Sequence, residues 1–106
     1  MKYWLAEYEF RDGEHSYVDK GIMQTVDNDV TRAEAEKLFN EKYLATMWGN
    51  DTNDEGDGDY SNDSGEIWVH LEDIKQISQH DAIVLKKHKI NLKVTIPHRK
   101  EKVLLT

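Results

Sequence analysis

The side chains with the clearest chemical potential lie in one acidic run, residues 50–66, which holds seven carboxylates and no lysine or arginine. Clustered oxygen ligands on a flexible segment are what calcium requires. The spacing does not complete an EF-hand, however. Counting from Asp51 puts Gly56 correctly in the sixth position but puts Asn62 in the twelfth, where a bidentate glutamate closes such a site. Divalent-cation binding in residues 51–59 is therefore kept as one alternative.

The same run also suits a negatively charged surface that docks on a basic protein. Carboxylates spaced along a loop and a strand imitate the phosphate charge of a nucleic acid and steer association with a basic partner. Inhibition of a nucleic-acid-handling protein is one form of this role. The side chains that we expect at the contact are seven acids and one aromatic residue: Glu7, Glu9, Asp54, Glu55, Asp57, Asp59, Asp63 and Trp68.

A third interpretation of the run needs no partner, because Gly, Asn, Ser and Asp at this density are typical of a disordered connection. Loops longer than about 12–15 residues are uncommon in compact domains and are usually functional or disordered. On this interpretation, residues 49–65 form a long solvated loop between a helix and a strand. Composition alone favours this interpretation for the run, whereas the charge of the whole chain favours docking.

The charge is divided unevenly along the chain. Residues 1–81 carry 20 acids and 7 bases, a net −13, while residues 82–106 carry 1 acid and 7 bases, a net +6. The basic segment could neutralise phosphates, but it has no interleaved aromatic residue for base stacking, and the rest of the chain would repel a polyanion. Nucleic-acid binding by this segment is thus the main alternative to acidic docking. Salt-sensitive self-association through the two oppositely charged segments is a further possibility.

The histidines and serines form no recognisable catalytic set. The five histidines are dispersed, and none forms an HExxH arrangement. His70 alternates with apolar residues on its strand and is predicted to be an exposed or hydrogen-bonded side chain rather than a metal ligand. No spacing places a nucleophile beside a base, and no glycine-rich phosphate loop follows a strand. We therefore expect a non-enzymatic protein with no cofactor and no metal ligands.

Composition limits the class of protein further. A chain of 106 residues suits one domain with its own core. It has no cysteine, which excludes disulfides, thiolate metal sites and a cysteine nucleophile. No stretch approaches the roughly 18 apolar residues of a membrane span, and the first residues alternate instead of forming a signal peptide. We expect a cytoplasmic protein.

The first two predicted strands form a hairpin. Residues 3–10 alternate between apolar and charged side chains, as a half-buried strand requires. Asp12 and Gly13 are a strong signal for a two-residue turn, and a turn centred on them would pair Tyr8 with Tyr17. The second strand is expected to extend to about residue 26.

The alternation breaks at two positions, the first predicted to be a bulge and the second predicted to be a bend, a bulge or the end of a strand. One lies near Lys20 and Gly21 in the second strand. The other lies near Glu72 and Asp73 in a later strand, which begins at Ile67 and then bends, bulges or ends at this point.

Two helices are predicted from their capping residues. Thr31 and Glu34 form a capping box for a helix that should end near Ala45. Ser78 and Asp81 form a variant of the same box and favour a short helix, although the apolar residues inside it would also suit a strand.

Together these elements predict an α+β fold. We expect an antiparallel sheet of about four strands in the order β-β-α-β-α-β, with one long and one short helix packed on one face. Residues 90–96 supply the last strand. The domain should span residues 1–96 and contain the long acidic loop 49–65, and residues 97–106 should form a basic C-terminal tail.

Overall fold

A computed structural model describes residues 1–87, 94–96, 98–99 and 102–103. The main sheet contains six strands: β1 (Lys2–Asp12), β2 (His15–Thr25), β3 (Asn53–Gly56), β4 (Asp59–Ser61), β5 (Ile67–Ile77) and β6 (Val94–Ile96). Two α-helices accompany it, α1 (Arg32–Lys42) and α2 (Gln79–Lys87), with single 3₁₀ turns at Leu44–Thr46 and Gly49–Asp51. The strand order is β3-β4-β5-β1-β2-β6, with β6 parallel to β2 and the other neighbours antiparallel.

The predicted α+β class is confirmed, but the strand number and order differ from the prediction. The acidic run, expected to be a loop over residues 49–65, contains a 3₁₀ turn and the β3–β4 hairpin. Its tight turn has three successive positive φ angles, 86° at Gly56, 53° at Asp57 and 83° at Gly58. Glycine adopts such angles at low cost, so the residues that suggested disorder also permit a hairpin.

The β1–β2 hairpin is confirmed, with its turn one residue later than predicted. Gly13 and Glu14 are the central residues, and Gly13 has the positive φ of 62° that a type II′ turn requires at its first central position. Tyr17 consequently lies opposite Phe10, on which its ring stacks at a centroid distance of 5.0 Å, and not opposite Tyr8. A shift of two residues leaves each side chain on its predicted face.

Of the two positions at which the strands were predicted to be irregular, one is irregular, and the irregularity there is a bulge. The β1–β2 register runs without a break through Gly21, so the prediction of a bulge there is wrong. The register between β1 and β5 shifts between Glu7 and Tyr8, which leaves Glu72 with no opposite residue on β1. This bulge explains why the apolar positions of β5 change phase while still facing the same core.

The predicted capping box begins α1. Glu34 donates its backbone N–H to Oγ1 of Thr31 at 3.2 Å, and the Glu34 carboxylate accepts from the backbone N–H of Thr31 at 3.3 Å. The helix packs on one face of the sheet and contributes three buried residues to the larger core. That core contains Trp4, Ala6, Tyr8, Met23, Val30, Ala35, Leu38, Phe39, Leu44, Tyr60, Val69 and Ile74.

The second helix packs on the opposite face, which corrects the prediction that both helices share one face. Oγ of Ser78 accepts a hydrogen bond from the Asp81 backbone at 3.0 Å, and the helix is confirmed. Its Ala82 packs with Leu5 and Ile22 in a separate small core. Consecutive buried residues in β1 make both faces of the sheet apolar at this end, so each face needs its own cover.

The chain beyond α2 is described only in short segments. Val94–Ile96 forms β6, and the remainder of the predicted strand, residues 90–93, lies outside the described residues. Strands β7 (His98–Arg99) and β8 (Lys102–Val103) pair with each other apart from the main sheet. The division into a domain and a basic tail stays a prediction. Within the described parts of the chain, no helix is both long enough and apolar enough to cross a membrane.

Candidate functional site

The α2 helix covers only one end of its sheet face and leaves an open groove at the other end. The groove lies where β1, β4 and β5 run side by side, and it has a volume of about 500 Å³. We call it the open groove, and it is lined by Arg11, Gly13, Asp59, Gly65, Glu66, Trp68 and His70.

His70 is at the centre of this region because of strand register. It lies opposite Glu9 on β1 and opposite Asp59 on β4. Directly opposed residues in an antiparallel sheet have Cβ atoms about 4.5–5.5 Å apart on the same face. Glu72 joins them from the same strand, two residues beyond His70 and at the bulge. The imidazole is therefore surrounded by three carboxylates.

The contacts around the imidazole are unequal. Nε2 of His70 lies 2.8 Å from Oε1 of Glu72, a hydrogen-bond distance, and 3.6 Å from Oε1 of Glu9. Nδ1 lies 3.7 Å from Oδ1 of Asp59, an ion-pair separation rather than a hydrogen bond. The side chains of His70 and Glu9 are 27% and 17% exposed, so water reaches this cluster only partly.

The guanidinium of Arg11 contacts one of the three carboxylates around His70. Nε of Arg11 donates to Oε1 of Glu9 at 3.0 Å, and Arg11 is the one lysine or arginine among the described residues that line the open groove. Its side chain is 64% exposed, so the pair contributes little to stability, of order 0–1 kcal/mol. The groove as a whole keeps an excess of carboxylates.

Trp68 forms one wall of the open groove. Its indole Nε1 donates to the carbonyl oxygen of Gly65 at 2.9 Å, which fixes the ring orientation. The residue is 38% exposed, among the most exposed of the large hydrophobic side chains described here. A fixed, exposed indole beside carboxylates can pack on a partner or stack on a cation.

The structure brings some of the predicted contact residues together and separates others. Asp59 and Trp68 line the open groove, and Glu9 lies beside it, with its carboxylate 3.6 Å from Nε2 of His70. Glu7 lies on the same sheet face, where its carboxylate is 3.5 Å from Nζ of Lys20. These residues come from three different strands.

The remaining predicted contact residues lie on or after the β3–β4 hairpin. Asp54 accepts from the backbone of Gly56 at 2.9 Å, and Glu55 accepts from Oγ of Ser61 at 3.0 Å. Asp57 occupies the turn, and Asp63 is exposed after β4. Their hydrogen bonds are local, as expected of carboxylates that shape a turn.

Metal-ligand geometry occurs outside the run in which the sequence suggested it. Ligand atoms of Glu9, His70 and Glu72 lie within 4.8 Å of one another, and no group of three meets this condition within the described residues 51–59. Cation binding by residues 51–59 stays a prediction without a converging set of side chains.

Sequence reasoning missed Glu72 and Arg11 and gave His70 no role. One signal was available, because His70 and Glu72 are two residues apart and so share a strand face. The approach of Glu9 was not readable, because it depends on which strand lies beside β5. Comparison with known proteins gives no match to a family model, to a curated protein or to a solved structure.

Proposed function

We propose that this chain is a small, non-enzymatic binding protein that engages a basic protein partner through the acidic end of its sheet. The observation that carries the proposal is the convergence of Glu9, Asp59 and Glu72 on His70, beside an open groove. Among the described residues, Arg11 is the one lysine or arginine that lines this groove. A partner that presents lysine or arginine would satisfy these carboxylates.

Charge and shape support the same role. Residues 1–81 carry a net −13, so the surface attracts a basic partner over a distance of about one Debye length. Trp68 adds an aromatic side chain in the wall of the groove, and an aromatic side chain that a partner buries contributes strongly to affinity. Attraction from the acids speeds the encounter, and the indole slows dissociation.

The partner class that fits best is a protein with an exposed basic surface, including one that otherwise holds nucleic acid. Carboxylates on neighbouring strands present negative charge in rows, as phosphates do. The regulatory role is then competitive, because the acidic surface occupies the basic surface of the partner.

The first experiment measures binding of a fluorescein-labelled oligoarginine peptide by fluorescence anisotropy at several salt concentrations. The test variant carries Glu9→Gln, Asp59→Asn and Glu72→Gln. The matched control removes the same number of negative charges away from His70 and carries Asp29→Asn, Glu41→Gln and Asp51→Asn. We expect the test variant to bind more weakly and with a shallower salt dependence than the control. Equal weakening in both variants would mean that only net charge matters, and the groove would lose its role.

The competing outcome is nucleic-acid binding by the basic C-terminal segment. Labelled single-stranded DNA and RNA are titrated in parallel at about 50 mM salt, where phosphate contacts are strong. Binding that is lost on replacing Arg99, Lys100 and Lys102 with glutamine would favour this alternative over acidic docking. Light scattering at low and high salt checks for self-association, which would occupy the acidic surface.

A further inference from the structure

We propose that Glu9, His70 and Glu72 form a binding site for a divalent transition-metal ion, with zinc as the best fit. This inference goes beyond the proposed function and does not depend on it, because a metal site needs only the three side chains and not a protein partner.

The distances suit one shared ion. Around a tetrahedral ion with bonds of about 2.0–2.2 Å, ligand atoms are roughly 3.3–3.6 Å apart. Nε2 of His70 is 3.6 Å from the Glu9 oxygen, at the upper limit of that range, and 2.8 Å from the Glu72 oxygen, which is about 0.5 Å below it. All three ligand atoms lie within 4.8 Å of one another, so we expect side-chain rotations to bring them to bonding distance of one ion.

The donor set selects the kind of ion. Carboxylates alone would favour calcium or magnesium, whereas an imidazole nitrogen favours zinc and its neighbours among the transition metals. His70 supplies that nitrogen, and the two glutamates offset the charge of a divalent ion. Three protein ligands leave one of four tetrahedral positions for water or another ligand.

Asp59 provides an observation independent of the three ligand atoms. Histidines that bind metals usually direct their second ring nitrogen at a carboxylate, which orients the ring and strengthens the bond to the metal. Nδ1 of His70 faces Oδ1 of Asp59 at 3.7 Å, from a third strand. This arrangement assigns Nε2 as the metal ligand and leaves Nδ1 on the side of the Asp59 carboxylate.

The scaffold holds the ligands on regular structure. Glu9 and His70 are opposed residues of two long paired strands, and strands position ligands more accurately than loops. Glu72 is at the bulge, where the unpaired residue is free to turn its side chain towards Nε2.

In the absence of an ion, other contacts satisfy the same atoms. Nε of Arg11 donates to the Glu9 oxygen at 3.0 Å, and Nε2 of His70 lies at hydrogen-bond distance, 2.8 Å, from the Glu72 oxygen. A metal ion would replace both contacts. Arg11 therefore competes with the metal, and Arg11→Gln is expected to tighten zinc binding severalfold because it removes a nearby positive charge.

The experiment titrates zinc chloride into the untagged full chain by calorimetry in a non-chelating buffer. We expect one zinc ion per chain, and we expect His70→Ala, Glu9→Gln and Glu72→Gln each to weaken binding by about tenfold or more. Asp59→Asn should weaken zinc binding by about tenfold, because it alters the carboxylate beside the second ring nitrogen of His70. The matched control is Glu14→Gln, which removes one exposed carboxylate in the β1–β2 turn and should leave the affinity unchanged.

Histidine side-chain ¹⁵N resonances then identify the ligand atom. Zinc should shift Nε2 of His70 with Nδ1 remaining protonated, while calcium and magnesium at the same concentration should leave both unchanged. The proposal is overturned by absence of zinc binding, by binding through Nδ1 or another histidine, by an equal effect of Glu14→Gln, or by equal binding of calcium. Circular dichroism verifies that each variant is folded, and the two isosteric Glu→Gln variants keep the test valid if His70→Ala unfolds.

Discussion

The two faces of the sheet are made from alternate residues of the same strands, yet they serve different purposes. On the α1 face, buried side chains extend over β1, β2, β4 and β5 and form the larger core. On the α2 face, Leu5, Ile22 and Ala82 are buried at one end only, and the other end is the open groove. Tyr8 is fully buried, and its neighbour Glu9 is one of the three carboxylates around His70.

On our proposal, the continuous core face supplies stability and the open end of the other face supplies the binding surface. Apolar burial contributes roughly 25 cal/mol per Å², so the face with the continuous core supplies most of the folding free energy. The open end of the other face is therefore free to carry charged side chains whose pairing contributes little to stability. Substitutions on the two faces should have effects of different size and kind.

The sharpest test of this comparison replaces one aromatic residue on each face. Phe39→Ala removes a fully buried ring from the α1 core and should lower the free energy of unfolding by about 3–5 kcal/mol. Trp68→Ala on the open face should lower it by about 1 kcal/mol or less. Urea denaturation followed by circular dichroism measures both. Similar losses would mean that the open groove is part of the stabilising core.

Alkaline pH should also act through the core face. Burial raises the pKa of the Tyr8 hydroxyl far above its ordinary value of 10.0, and the neighbouring Tyr43 hydroxyl at 3.4 Å and Asp19 raise it further. The stability that Tyr8 contributes is complete below pH 10 and is lost as the pH rises above it, because the unfolded chain then ionises first. The limiting slope is about 1.4 kcal/mol per pH unit for one group.

Tyr8→Phe tests this assignment. Unfolding free energies measured from about pH 9 to 11 should fall less steeply for Tyr8→Phe than for the parent chain, since the variant has no hydroxyl to ionise there. Tyr60 contributes to the pH dependence of stability in both proteins. Burial raises its pKa most, and the nearby carboxylates of Asp54 and Glu41 raise it further. Identical slopes would mean that Tyr8 is accessible to water.

The smallest predicted changes in unfolding free energy come from removing the side-chain caps of the two helices. Thr31→Ala should lower the free energy of unfolding by about 1 kcal/mol, because it breaks the capping box of α1, and Thr31→Ser should restore it. Ser78→Ala should cost about 0.5 kcal/mol, because α2 buries little and can open by itself. Hydrogen exchange should accordingly be faster at α2 amides than at α1 amides. The reverse order would contradict the assignment of the larger core to the α1 face.

Much of the local structure was predictable from short patterns. The hairpin, both helix starts and the bulge near Glu72 follow from turn glycines, capping residues and a change of alternation phase, all of which act within a few residues. The β3–β4 hairpin was missed because glycine and aspartate are common both in tight turns and in disordered segments.

The candidate site was only partly predictable. Glu9, Asp59 and Trp68 were selected for their charge or exposure, and the structure brings them together. His70 was set aside because it forms no recognised ligand motif in the sequence, although Glu72 on the same strand could have been noticed. Its other two partners, Glu9 and Asp59, are on other strands, and alternation does not specify which strand lies beside another.

The sequence by itself determined which residues share a strand face and where each helix begins, because these depend on backbone geometry and hydrogen bonds between near neighbours. The tertiary structure alone decided that β5 lies between β1 and β4, and that α1 and α2 cover opposite faces. Strand order depends on long-range pairing, in which many arrangements bury similar apolar area. That order places carboxylates from two neighbouring strands around His70.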